Sequence, residues 1–255
     1  TTAGGGGPVR LVAPGNITVN GTIDTSANQF PTAISGSVTI NAGGNILVTD
    51  RITTAASSFA NTAGSATSVS GNVQMTSGGS LTLLGEINTT AVAFSDDLPS
   101  VTPGTINLNA GSDLVFDTIV TSAFAVFTFG ETTFGTGGDV TLIANGVVRG
   151  TGANVETGET IVTESPTQGG KVTIQHNGGP NNFRFIIGDA TNNGLAGSIN
   201  TGTGIDTLAP TQTIPVAPLL VPPNNVFTQG NNIRITFINS PPAPPSGGTI
   251  TLSPG

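Results

Sequence analysis

A thirteen-residue pattern returns along this chain at an interval too long for a hairpin and too irregular for a heptad. It is set by Gly-Ser-Val-Thr-Ile-Asn-Ala-Gly-Gly-Asn-Ile-Leu-Val at 36–48 and repeated by Gly-Asn-Val-Gln-Met-Thr-Ser-Gly-Gly-Ser-Leu-Thr-Leu at 71–83. Gly-Thr-Ile-Asn-Leu-Asn-Ala-Gly-Ser-Asp-Leu-Val-Phe at 104–116 follows, then 138–148, 170–174 and a last fragment at 248–252. The opening residues fit the same frame: Val9 matches Val38, Leu11 matches Ile40, Ile17 matches Ile46 and Ile23 matches Ile52. Starts at 7, 36, 71, 104, 138 and 170 give spacings of 29, 35, 33, 34 and 32. A period of this size marks a stack of similar units, none able to bury its apolar face alone.

Within each copy the apolar residues alternate (Val38, Ile40; Ile46, Val48) and Gly-Gly or Asn-Gly separates the short runs. Period two broken by turn residues means short half-buried strands, and the intervening β-branched Thr suits a pleated surface. Leu, Lys, Glu and Arg are too scarce for a helical stripe. The chain is therefore expected to be all-β. A propeller blade needs four strands per repeat, whereas a parallel β-helix (a solenoid) needs about three short strands and tolerates one variable excursion. Each copy has a regular core followed by an irregular Ala/Ser/Pro stretch, such as Thr53–Ser70 or Ala91–Pro103, which favours the β-helix with irregular loop excursions. Val38, Val73, Ile106, Val140 and Val172 are then expected in one inward column, spaced about 4.8 Å. One domain is expected over 1–255, with regular coils of about 33 residues at 7–169 and less regular, Pro-rich coils at 170–255.

Composition narrows the function. Charged residues make up 8% of the chain, against about 25% in ordinary domains. The net charge of −8 has no basic cluster to offset it, so nucleic acid is excluded as a partner. With no Cys, one His (His176) and one Lys (Lys171), sites built from thiolates or from several His or Lys cannot be assembled. No stretch reads as about 20 continuous apolar residues, so no membrane span is expected. The N-terminal Thr-Thr-Ala-Gly-Gly-Gly-Gly lacks the basic and apolar regions of a signal peptide.

Carboxylate chemistry on a polysaccharide needs acids converging with a base beside them. Asp96 and Asp97 are adjacent and point apart; Asp113 and Asp117 share a strand-like stretch; Glu156, Glu159 and Glu164 lie in a Gly/Thr loop. Asp113 and Asp117 have no base nearby in sequence, and the others read as solvated surface carboxylates, so no enzyme, no catalytic residue and no cofactor is expected. Asp189-Ala-Thr-Asn-Asn-Gly194 resembles part of a calcium loop, but its twelfth position is Asn200 rather than Glu, and an Asx turn is the favoured reading. Gly137-Gly138-Asp139 does not recur every nine residues and is set aside as a calcium repeat. His176 either points inward or caps a turn. Five prolines lie in 210–223 and four in 241–245; Pro215 and Pro218 have PxxP spacing, and the segment reads either as a partner-binding arm or as an excursion along the flank. Five of twelve Phe fall in 116–134, where Phe127 and Phe129 share a strand face that either covers the flank or meets a neighbouring molecule.

The ordered set Gly-Gly-Lys-Val-Thr-Ile-Gln-His-Asn-Gly-Gly (169–179), Phe-Ile-Ile-Gly-Asp-Ala-Thr-Asn-Asn-Gly-Leu-Ala-Gly-Ser-Ile-Asn-Thr-Gly (185–202 with its turn) and Phe-Thr-Gln-Gly-Asn-Asn-Ile-Arg-Ile (227–235) carries a resemblance. It is similar to the segment that follows filamentous-haemagglutinin-like repeats, and precedes a caspase-like CHAT domain, in large secreted cyanobacterial proteins. The resemblance implies export to the cell surface, a right-handed parallel β-helix and an adhesive or structural role. The resemblance does not extend to the CHAT domain, whose Cys nucleophile has no counterpart in these 255 residues, and no proteolytic activity is expected to carry over.

Exposed strand edges template further pairing, and a heterologous end-to-end contact gives filaments. The function expected is therefore a structural subunit of an extracellular fibre, sheath or surface layer, self-associating head-to-tail. Candidate residues are Val9, Leu11, Ile250 and Leu252 at the ends and Phe127 and Phe129 on the flank. The alternative is a non-catalytic adhesin or carbohydrate-binding passenger segment of a larger secreted protein, with a polysaccharide or cell surface as partner.

Overall fold

The computed structural model describes residues 5–60, 64–127, 133–202, 207–208, 213–214, 226–229 and 231–238. Every helix or strand found among them is a strand, and the strands assemble into five sheets in which most pair in parallel with a counterpart one repeat away. The chain is all-β, built of parallel sheets stacked repetitively, an arrangement compatible with a parallel β-helix.

Sheet 1 gathers Val9–Ala13, Val38–Ala42, Val73–Ser77, Ile106–Ala110, Val140–Ala144, Val172–His176 and Ile233–Phe237, all parallel. Its register stacks Val9, Val38, Val73, Ile106, Val140, Val172 and Ile233 in one column, and Leu11, Ile40, Met75, Leu108, Leu142, Ile174 and Ile235 in the next. The column expected from the sequence is the first of these. From the second repeat on both columns are buried, because β-branched and long aliphatic side chains two residues apart share one face of a pleated strand. Sheet 2 begins with Ile17–Val19, Ile46–Val48, Leu81–Leu83 and Leu114–Phe116. Sheet 3 contributes an isoleucine column of Ile23, Ile52, Ile87, Ile119, Ile161 and Ile199. Inward side chains of the three sheets form a single continuous core.

Each of the first five repeats is closed at one corner by a threonine and a glycine. Thr25, Thr54, Thr89, Thr121 and Thr163, all buried, follow the sheet 3 strands of successive repeats. Their hydroxyls donate to the carbonyl oxygens of Gly36, Gly71, Gly104, Gly138 and Gly170 over 2.5–3.0 Å. The same glycines return their N–H groups to the threonine carbonyls over 2.8–3.2 Å. The glycine is required here by close approach. A Cβ on Gly36, Gly71, Gly104, Gly138 or Gly170 would overlap the carbonyl oxygen of the glycine one repeat earlier. The backbones thus stack in direct contact along this corner.

What lies between the threonine and its glycine differs from repeat to repeat, with separations of 11, 17, 15, 17 and 7 residues. In the first four repeats this insert leaves the core as a flange, and its strands are regular. Sheet 4 stacks Ala27–Gln29, Ala56–Phe59, Ala91–Ser95 and Ala123–Phe127 in parallel, ending on antiparallel Thr133–Phe134. Sheet 5 stacks Thr32–Ile34, Thr67–Val69 and Ser100–Thr102. This corrects the expectation of irregular loop excursions over Thr53–Ser70 and Ala91–Pro103. The reason is side-chain size: the two sheets face each other through Ala and Ser, so their strands show no hydropathy contrast. Two small clusters, Ala27, Ala33 and Ala56, and Ala60, Ala66 and Ala93, fill the space. Ser68 reaches across to the Ser58 hydroxyl (2.8 Å) and the Val92 carbonyl (2.6 Å), and Ser70 to the Thr90 carbonyl (2.7 Å).

The two ends of the stack differ. Val9–Ala13, Ile17–Val19, Ile23–Asp24, Ala27–Gln29 and Thr32–Ile34 are each edge strands of their sheets, among the described residues. At the other end the outermost strands among the described residues are antiparallel: Val226–Gln229 on sheet 1, Thr213–Ile214 on sheet 2 and Thr207–Leu208 on sheet 3.

The corner predicts an asymmetric response to substitution. Thr89→Val strands the Gly104 carbonyl from its hydroxyl partner and is expected to cost about 1–3 kcal/mol, whereas Thr89→Ser keeps the bond and costs less. Gly71→Ala, forcing a methyl into the Gly36 carbonyl, is expected to lower the denaturation midpoint more than Thr89→Val. Equal midpoints for wild type and Thr89→Val would remove the corner as a source of stability.

Candidate binding surfaces

The residues expected to mediate self-association do not form one site. Val9 and Leu11 lie on the edge strand of sheet 1 and are half-buried, while their counterparts Val38 and Ile40 are fully covered by neighbouring repeats. Ile17 and Val19 repeat this on sheet 2. One end of the core is therefore only partly covered, and beside it run the outer backbone edges of five strands. Phe127 pairs with Ser95, a buried residue, and its ring packs on Phe134 with centroids 5.7 Å apart, so it covers part of the flange. Phe129, Ile250 and Leu252 lie outside the described residues, as do Pro215 and Pro218.

The acidic residues are used in three ways. Asp113 accepts the Val147 N–H (3.0 Å) and Asp139 the Lys171 N–H (2.8 Å), each tying a turn to the next repeat. Asp189 accepts the Thr191 N–H (2.8 Å) as an Asx turn, and its hydrogen bonds from the Thr191 side chain and backbone hold its carboxyl below the usual range. Asp117 separates from Asp113 and instead lines a depression of about 470 Å3 with Glu86, Glu156 and Glu159 on the outside of sheet 3. Glu159 belongs to a strand, Glu159–Val162, rather than to the expected loop. Asn200 bridges Glu159 (2.6 Å) and Glu164 (2.8 Å). No Lys, Arg or His lines the depression, and among the described residues no group of three His, Cys, Asp or Glu is placed to hold a metal ion. The clustering joins residues 86, 117, 156 and 159 from three repeats, so only the repeat register, extended to the outward positions, could have shown it.

His176 points inward. It closes the sheet 1 strand Val172–His176 at a position where the earlier strands end in Ala or Ser (Ala42, Ser77, Ala110, Ala144). The larger ring is accommodated between Phe185 and Phe237, at centroid distances of 5.1 and 5.7 Å. Its Nδ1 faces the Asn193 amide nitrogen at 3.2 Å. That nitrogen also donates to the Phe183 carbonyl (2.9 Å), while the Asn193 Oδ1 accepts the Val148 N–H (2.9 Å). With Asn193 fixed as donor, Nδ1 is the acceptor and the imidazole is neutral. Burial pushes its pKa down to about 4.

No helix among the described residues is long and apolar enough to cross a membrane. No protein-family model, curated protein or solved structure matches the chain.

The histidine gives a pH prediction with a definite sign. Unfolded, it ionises below about pH 6.5; folded, it stays neutral to about pH 4. Acidification through that window protonates the unfolded chain first and weakens folding by about 1.4 kcal/mol per pH unit. Wild type should therefore lose denaturant resistance between pH 6.5 and 4 more steeply than His176→Leu, in which this linkage is gone. Parallel pH profiles for the two proteins would contradict it.

Proposed function

We propose that this chain is a right-handed parallel β-helix that serves as a non-catalytic segment of an exported surface protein, extending and presenting an adhesive face. The single observation that carries the reading is the unbroken register of sheet 1 through seven parallel strands. A stack in which each repeat is bonded to the one before serves as a spacer whose outer surface is free for contact. Right-handedness follows the strong preference of parallel crossover connections. The resemblance to filamentous-haemagglutinin-like repeats supports export and a cell-surface location. The acidic depression offers no basic partner to its carboxylates, which supports a non-catalytic role.

The fibre subunit expected first from the sequence is the weaker of the two readings. Head-to-tail growth needs parallel-accepting edges at both ends. Among the described residues, Val226–Gln229, Thr213–Ile214 and Thr207–Leu208 run antiparallel to their neighbours, so the parallel pattern of the stack is not continued by these strands.

Negative-stain electron microscopy and sedimentation of the purified chain test this directly. Separate short rods at high concentration are expected; long filaments would overturn the reading in favour of the fibre.

A further inference from the structure

The outer face of sheet 4 carries a row of phenylalanines. Phe94 stands in register with Phe59, and Phe30 follows Gln29, whose partner Ser58 precedes Phe59. One phenyl ring is thus presented by each of three consecutive repeats, 54%, 45% and 39% exposed in chain order. Rows in a sheet are about 4.8 Å apart. Two residues back along each strand, on the same face and about 7 Å away, run Asn28, Ser57 and Val92, also in register.

Together with Ser26, Ala27, Ala55, Ala56, Asn88 and Thr90, this second column lines a groove of about 350 Å3. Its lining residues come from three consecutive repeats and lie at the junction of sheet 3 and sheet 4. Its lining contains no charged residue. The Asn28 carboxamide and Ser57 hydroxyl enter no hydrogen bond within the described residues, so both are available to a ligand. The volume falls at the lower end of the roughly 300–1,000 Å3 typical of ligand sites.

We propose that this groove and its phenyl row bind an extended, uncharged polysaccharide running across the repeats; the inference names the ligand of the adhesive face and rests on the reading above. Three features select that ligand. The phenyl faces are electron-rich and attract the C–H faces of sugar rings, while the Asn28 carboxamide and Ser57 hydroxyl beside them match sugar hydroxyls. The uncharged lining and the net charge of −8 disfavour an acidic glycan. The phenyl row by itself is small for an interface between two copies. Exposed portions of the three rings amount to roughly 300 Å2, against about 800 Å2 per partner in a stable protein interface. The ladder repeats at a spacing close to the length of one sugar residue in an extended chain, so successive rings can meet successive sugars.

Affinity electrophoresis and calorimetry with mixed-linkage β-glucan and galactomannan, plus sedimentation with microcrystalline cellulose, test the proposal, with alginate as the acidic comparison. Wild type is expected to bind at least one neutral glycan and to ignore alginate. The double variant Phe59→Ser, Phe94→Ser should weaken binding about tenfold or more, since it removes the stacking platform from two of three rows. Ser57→Trp, which fills the groove without touching the core, should do the same, and either variant suffices provided its melting profile matches wild type. The proposal is overturned if wild type binds none of the three neutral glycans, if alginate binds equally well, or if Ser57→Trp leaves affinity intact. It is equally overturned if wild type is a dimer that the Phe variants dissociate, because the face would then be occupied by a second copy. None of these outcomes produces filaments, so failure here is separable from failure of the rod reading.

Discussion

The reciprocal pair of hydrogen bonds between a buried threonine and the glycine that opens the next repeat organises everything around it. Each pair satisfies a glycine carbonyl and N–H that would otherwise be unpaired in the interior, where an orphaned group costs far more than the bond is worth net. Because the glycines also touch backbone to backbone along the stack, the corner admits no side chain. The position in each repeat is thereby held while the chain on either side is free to differ. The core strands then fall into register without needing repeats of equal length.

That division explains the irregular spacing of the motif. In the first four repeats the part of each repeat leading to its threonine is nearly constant, and length varies in the flange between threonine and glycine. The fifth repeat inverts the arrangement: only 7 residues separate Thr163 from Gly170, and the extra chain appears earlier, around Ala153–Gly158. The flange stops there, and its last parallel strand, Ala123–Phe127, is covered by the antiparallel Thr133–Phe134. The loop that replaces it supplies Asn154 and Glu156 to the acidic depression.

The core was legible in the sequence because Val, Ile and Leu alternate there with Thr and Asn, a contrast large enough to define both period and face. Matching Val9 to Val38 and Ile23 to Ile52 gave the register without further information. The flange was not legible for the opposite reason. Ala56 and Ser58 face inward and Ser57 faces out, so alternation exists in geometry but not in hydropathy. The phenylalanine row was hidden in the same way, since Phe30, Phe59 and Phe94 sit in repeats of different length and align only once the flange strands are paired. His176 was readable as a residue out of pattern, but its neutral state depends on Asn193, 17 residues on, and on Phe237, supplied by a later strand.

Because the strands lie across the stack, the bonds joining one repeat to the next all point along its length. Tension applied between the two chain ends therefore does not load them together. It falls on the outermost repeat, which peels away and lengthens the tether before the next is strained. A segment built this way yields in small steps under pull, dissipating force as it lengthens, and reforms one layer at a time on the template that remains.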